Sequence, residues 1–397
     1  MKKKILAITL VLAMMFALVA ACANDGGGGT QPTAPPSGGG DSGITAEIPD
    51  PIDWRQSGGV GFVNDDVDHW ARETYHIIYF NFNPTGITGL IYDSLRQLQS
   101  VANFTIEHHT ANNDSDMFIN TLQTLLIREP DGIIIDITEE LAVRTAEITA
   151  QFGVPAICLF NMAVDPQGHM IIPSIIMDQY ANGETQMRHL HSVYRDFWGP
   201  DMDSTDIGLL IVDFSINMNI HARGVGAARV FEEYFPGQPI FWADTAAGSL
   251  SAEEGFSVTT AMLAANPEIP YWFIIGTVED VALGAARAVD ALELGDRALI
   301  TSSGATILPG EWDAGYDGPW IGNYAVPGFL YAGVALFGLL ALIDGRATTE
   351  TLWEESFLPG DRAARFVLAS DMMTRANYLE FIGDFMRAFG VDPDAAT

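Results

Sequence analysis

The 397-residue chain carries 19 basic residues against 51 acidic ones, a formal net charge of −32, with two cysteines and 48% hydrophobic residues. Its three lysines are Lys2, Lys3 and Lys4, so Schiff-base and Walker A chemistry are excluded for everything beyond them. Removal of an N-terminal leader would leave 16 arginines against the 51 acids, a surface that repels phosphate backbones and excludes nucleic acid as a partner.

The N-terminal residues predict an export signal. Lys2–Lys4 form a positive head, Ile5–Ala21 is uncharged and mostly apolar, and small residues precede Cys22. The stretch is short for a membrane span, which needs about 20 apolar residues. The run Leu18-Val19-Ala20-Ala21-Cys22 resembles a bacterial lipobox, which implies a signal peptide over 1–21, lipidation of Cys22 and a protein anchored outside the cytoplasm. Asn24–Gly43 is rich in Gly, Pro, Ser and Thr, a composition that cannot bury a core and predicts a flexible tether of roughly 25 Å reach. Cys158 then has no partner for an internal disulfide and reads as a small buried hydrophobe in an apolar strand.

Beyond the tether, short apolar runs alternate with longer amphipathic ones. Strands are predicted at 75–80, 104–109, 132–137 and 155–160, separated by helices at 87–101, 116–128 and 139–151. The pattern restarts with a long helix at 179–197. Strands at 207–213, 239–242, 271–275 and 297–301 then alternate with helices at 220–234, 251–265 and 279–294. Ser251-x-x-Glu254 is a capping box. Continuous apolar strands between helices of this length predict βαβ units with parallel strands buried on both faces. Gly328–Ile343 is sixteen residues without a charge; at about 1.5 Å per residue it falls short of a ~30 Å hydrocarbon core, and predicts a buried helix. A last strand is expected at 365–369 and a last helix at 378–389.

The order of these pieces resembles the type I periplasmic binding proteins of the ribose-binding kind. The stretches that carry the resemblance are Asn83-Pro84, Glu129-Pro130-Asp131-Gly132-Ile133-Ile134-Ile135, Phe152-Gly153-Val154-Pro155-Ala156, Ala222-Arg223-Gly224, Ala264-Ala265-Asn266-Pro267-Glu268-Ile269 and Val281-Ala282-Leu283-Gly284-Ala285. The resemblance implies an α/β fold of two doubly wound parallel-sheet lobes joined by a three-segment hinge. The crossings are placed near Asn161–Met162, Ser303–Gly304 and Val326–Pro327. The first lobe is therefore expected over 67–161 plus 304–326, the second over 162–303 plus 327–397, with 22–66 as the lipidated cysteine and linker. It also implies a small-molecule solute captured between the lobes and handed to the permease subunits of an ABC importer, with no cofactor.

In open α/β sheets ligands sit beyond the carboxyl ends of the strands, so the loops there supply the candidates. Phe82 and Asn83 follow the first strand, and Asn83 matches a ligand-contacting position of the family; alternatively it makes only local turn bonds. Asp136 is a candidate acceptor, and Thr138 a candidate cap for the helix beginning at Glu139. Phe160 and Asn161 stand where sugar binders often carry Asp-Arg. His221 occupies the place of a ligand-gripping Arg, while Arg223 aligns with a more structural one. Glu279 lies where the family shows Asn-Asp, and Ser303 where sugar binders hold an Asp. Tyr324, with Trp312, Tyr316 and Trp320, is a possible aromatic platform replacing the one missing at Thr85-Gly86.

These replacements leave two ligand readings open, a sugar held by different residues or a solute with fewer hydroxyls. A tethered sensor for a signalling receptor would share the fold. A hydrolase finds no support: the chain has no Gly-x-Ser-x-Gly elbow and no His-Glu-x-x-His. No metal site or catalytic group is expected; His108-His109 would point to opposite sides of a strand.

Overall fold

The computed structural model describes residues 67–245, 249–353 and 357–388. The signal peptide, Cys22, the tether and Phe389 lie outside the described residues. Among the described residues, twelve strands form two six-stranded sheets. The first has the order β11-β5-β4-β3-β1-β2, from β1 (Tyr75–Asn81), β2 (Phe104–Thr110), β3 (Gly132–Asp136), β4 (Ala156–Phe160), β5 (Ser174–Ile176) and β11 (Arg365–Val367). The second has the order β12-β10-β9-β8-β6-β7, from β6 (Ile207–Asp213), β7 (Ile240–Asp244), β8 (Tyr271–Gly276), β9 (Ala298–Ser303), β10 (Trp320–Tyr324) and β12 (Met372–Thr374). All pairings are parallel except β10 with β12.

The unbroken apolar strands follow from burial on both faces, with alternate side chains going to opposite layers. Ile77 and Tyr79 of β1 pack in the core under helices α1 (Gly86–Leu98) and α9 (Gly328–Ile343), while Ile78 and Phe80 pack in the core under α2 (Ser115–Leu126) and α3 (Ala142–Phe152). The second sheet repeats the scheme. Leu209 and Ile211 face α4 (Gln179–Trp198) and α5 (Met218–Tyr234); Leu210 and Val212 face α6 (Ala252–Ala265) and α7 (Glu279–Ala291). The short α8 (Ile307–Asp313) adds Leu308 and Trp312 to the α7 side, and α10 (Tyr378–Ala388) is the last described element. Helix α6 carries the expected cap, Ser251 accepting from the Glu254 amide at 3.2 Å.

The expected lobe boundaries are corrected by sheet membership. Residues 304–326, assigned above to the first lobe, supply α8 and β10 to the second sheet, because Leu308, Trp312 and Trp320 fill the same core as Trp272 and Ile274. Helix α9, assigned to the second lobe, packs on α1, β3 and β4 of the first sheet, with Leu336, Leu339 and Leu340 fully buried. It is the buried helix its length predicted, and no described helix is long and apolar enough to cross a membrane. The chain also stays in the first sheet past Asn161, through β5, whose run Ser174–Ile176 pairs with β4. The sheets are thus linked between β5 and α4, between β10 and α9, and between β11 and β12. Only the crossing near Val326–Pro327 coincides with an expected one.

Candidate functional site

The carboxyl ends of the two sheets meet. Asn161, just after β4, accepts a hydrogen bond from the side chain of Asn219, in the first turn of α5 after β6. Asn161 is itself aimed by its own amide, which donates to the Ile137 carbonyl at 2.6 Å. Phe160 before it has φ +67°, a left-handed conformation that costs a non-glycine residue about 1 kcal/mol or more and is tolerated where surrounding structure imposes it. Its ring lies 4.6 Å from that of Tyr331, the two packing in one core. Asn219 is held by Asn217, whose side chain caps α5 by accepting from the Asn219 and Ile220 amides. The contact therefore joins two braced loops.

On the first sheet, Asn81 stabilises the loop after β1. Its amide donates to the Asn83 carbonyl at 2.5 Å, and its Oδ1 lies 2.6 Å from His108 Nε2, which must carry the proton because that oxygen only accepts. Burial holds the His108 imidazole below its ordinary pKa. Asn83 is half-buried and its Oδ1 has no partner. Phe82, expected at the ligand, instead packs edge-on against Phe118 in the core beneath α2. Asp136, the last residue of β3, is buried, and among the described residues its carboxyl meets no donor or cation; burial pushes it up to about 8. Tyr79 and Tyr331 both feel its charge, and their fully buried hydroxyls have no partner. Thr138 does not cap the helix that follows: its side chain makes no cap bond, and its hydroxyl is unpartnered. The chain enters a short 3-10 turn at Glu139–Leu141 instead.

On the second sheet, Asp213 ends β6. Its Oδ2 lies 2.5 Å from His221 Nδ1, while its buried Oδ1 is unpartnered. The His221 ring leans on Trp242 at 5.2 Å. Arg223 is buried and donates to Gln179 Oε1 and to the Thr277 carbonyl, both at 2.7 Å. Among the described residues no carboxylate pairs with it; burial lowers its pKa to about 10, so it stays charged at neutral pH. Its nearby phenols are Tyr331 and Tyr324.

Three other expected ligand residues are already occupied within the fold. Glu279 accepts five hydrogen bonds, from the Thr306 amide and hydroxyl, the Ile307 and Leu308 amides and Asn323 Nδ2, at 2.6–3.1 Å. A carboxylate so surrounded has no capacity left for a solute; it staples the start of α8 to the sheet. Ser303 donates to Asn182 at 2.9 Å and accepts from Gln186 at 3.0 Å, a buried triad between α4 and β9. Tyr324 is buried at the end of β10, where burial raises its phenol to about 12. Trp312 and Trp320 lie in the second lobe's core.

The sequence reading missed Tyr79, Tyr331, Asp213 and Asn219. Asp213 had a signal, as the polar terminus of an apolar strand. Tyr331 had only a lone hydroxyl inside an otherwise apolar helix. A shallow depression bordered by Asp131, Gly153 and Ile343 lies at the opposite, amino end of the first sheet. Among the described residues no three metal-ligating side chains are grouped to hold an ion, and burial pushes the Cys158 thiol up, leaving it unreactive.

Residues 99–294 match the family model described as periplasmic binding proteins and sugar binding domain of LacI family. No curated protein matches the chain in sequence. Solved structures do resemble it. A periplasmic solute binding protein of an ABC transporter from Actinobacillus succinogenes 130z, with bound D-allose, is 14% identical with a TM-score of 0.62, covering 78% of this chain and 100% of that one. One from Bacillus halodurans C-125, with bound myo-inositol, is 16% identical with a TM-score of 0.60 over 78% and 97%. A 5-methylthioribose transporter solute binding protein from Thermotoga lettingae TMO, in complex with 5-methylthioribose, is 16% identical with a TM-score of 0.61 over 81% and 94%. Two parallel sheets with facing carboxyl ends and three connections between them give the chain the fold of these periplasmic solute binding proteins, and residues 99–294 within it match the family model of the periplasmic binding proteins.

Proposed function

We propose that this chain captures a small, carbohydrate-like solute between its two sheets and delivers it to an ABC importer, held at the outer face of the cell membrane by a lipid on Cys22. The observation that carries the reading is the contact of Asn161 with Asn219, which brings polar strand ends of both lobes together around unpartnered buried groups. Buried polar atoms without partners cost about 1–3 kcal/mol each, and a solute that supplies those partners recovers that cost. Asn83, Asp136, Asn161 and His221 are the residues assigned to the solute. Similar proteins with bound D-allose and myo-inositol support a polyhydroxylated ligand.

A thermal-shift screen of pentoses, hexoses, polyols, nucleosides and their charged derivatives tests the capture. A selective ligand raises stability by RT ln(1 + [L]/Kd). At least one compound is expected to raise the melting temperature, and silence across every class would contradict the reading. The anchor is tested separately: Cys22→Ala should move the protein from the membrane fraction to the soluble one, and an unchanged distribution would remove the lipid from the account.

A further inference from the structure

Among the described residues, Tyr79 and Tyr331 are the tyrosines whose buried hydroxyls have no partner. Others are in use: Tyr75 donates to Asp344 at 2.9 Å and Tyr378 to Asp313 at 2.7 Å, while Tyr316 accepts from the Trp320 amide and Tyr234 from Arg188. A phenylalanine would fill the same core space and strand no polar atom, so an unpaired buried phenol lowers stability. Tyr79, stacked on His108 at 5.0 Å, lies within the first lobe. Tyr331 is placed differently. It is the fourth residue of α9, just past the crossing at Val326–Pro327, and its ring lies against that of Phe160. Its hydroxyl stands within electrostatic reach of Asp136, at the end of β3 on one lobe, and of Arg223, from α5 on the other. Because Arg223 belongs to the second lobe, parting the lobes uncovers that hydroxyl and closing them seals it.

Burial keeps the Tyr331 phenol protonated at neutral pH, so it offers an O–H to whatever lies between it and Asp136. An alcohol group has one proton and two lone pairs. It accepts from the phenol and, with what remains, donates to an ionised Asp136 or accepts from a protonated one. A ligand carboxylate serves the protonated acid only, and an ammonium has no lone pair for the phenol's proton. We propose that Tyr331 is a specificity-determining residue of the interlobe site, its hydroxyl donating to an alcohol oxygen that the captured solute places between Tyr331 and Asp136. This rests on the capture reading above and deepens it: the solute must present a hydroxyl at that point. An analogue lacking it leaves the phenol unpaired in the closed site and is rejected.

The test is calorimetric titration of the full chain and its Tyr331→Phe variant with D-allose, D-arabinose, D-glucose and myo-inositol, each beside its single-deoxy analogues. Should another compound of the thermal-shift screen bind instead, it and its deoxy analogues take the parents' place. For at least one parent, one deoxy position should cost the unaltered protein roughly ten-fold in affinity. Tyr331→Phe should weaken that parent about five-fold. Its effect on the matching deoxy analogue should be clearly smaller, since the shared interaction is already gone. The ligand-free variant should melt no lower than the unaltered chain, whereas loss of a hydroxyl bonded within the fold would lower the melt. A parent bound equally well by both proteins, effects that simply add at every deoxy position, or a lowered ligand-free melt would each overturn the proposal and leave the capture reading standing. A deoxy series without any such loss in the unaltered protein would overturn it with no need of the variant. Silence from every parent, together with a silent thermal-shift screen, would overturn both.

Discussion

Asp136 shows how a single residue's surroundings decide its chemistry. Buried at the end of β3 without a donor, its carboxyl is pushed up to about 8. The folded protein therefore holds that proton more tightly than the unfolded chain. This residue's contribution is least unfavourable at acid pH, and its cost grows as pH rises from about 4 to about 8. Asp136→Asn removes the ionisable group, so the variant's advantage over the parent should be small near pH 5 and reach a few kcal/mol by pH 8, at ~1.4 kcal/mol per pKa unit. Urea unfolding at the two pH values measures it, and an advantage independent of pH would contradict the assignment. At this scale the sequence was only half legible. Asp136 and Asn161 were picked out because polar residues following apolar strands lie at the carboxyl edge, and His221 because the resemblance sets it in the place of a ligand-gripping Arg. Phe82, from the loop after β1, and Glu279 and Ser303, from their places in the resemblance, were candidates too, yet their partners, Phe118, the start of α8 and the Asn182–Gln186 pair, come from elements distant in sequence. Nothing local distinguishes a free strand-end carboxylate from a saturated one.

Among the elements, helices α4 and α5 cross at small residues. A Cβ on Gly183 would come 1.7 Å from the Arg223 carbonyl oxygen, and one on Gly226 would come 2.1 Å from that of Tyr180. The obstructing atoms are backbone, so a methyl group must push the helices apart, at a typical cost of 1–3 kcal/mol or more. Gly183→Ala should lower the melting temperature by several degrees; an unchanged melt would show that the helices do not pack this closely. Most elements were legible, since strands with both faces buried and helices with one apolar stripe leave strong periodicities. The three-residue strands β5, β11 and β12 were not, or not in their true sheet, because pairing depends on a neighbour rather than on the run itself. That gap produced the misplaced lobe boundaries. Once β5 is seen beside β4, and β10 beside β9, helix α9 falls naturally on the first sheet.

At the scale of the molecule, two halves joined by three connections can hinge, because only a few linking residues need change φ and ψ. The Asn219–Asn161 hydrogen bond then belongs to the closed arrangement. Asn219→Ala should leave melting of the ligand-free protein nearly unchanged yet accelerate ligand dissociation several-fold, as loss of roughly 1 kcal/mol from the closed state requires. Stopped-flow dissociation reads this, and an unaltered rate would remove the contact from closure.

The most direct measurement is hydrogen exchange of backbone amides with and without a saturating ligand from the thermal-shift screen. The account predicts simultaneous protection of residues 81–84, 136–139 and 161 on one lobe and 214–221 and 277–278 on the other. Protection confined to one lobe, or centred on the depression near Asp131 and Gly153 at the far end of the first sheet, would contradict capture between the two.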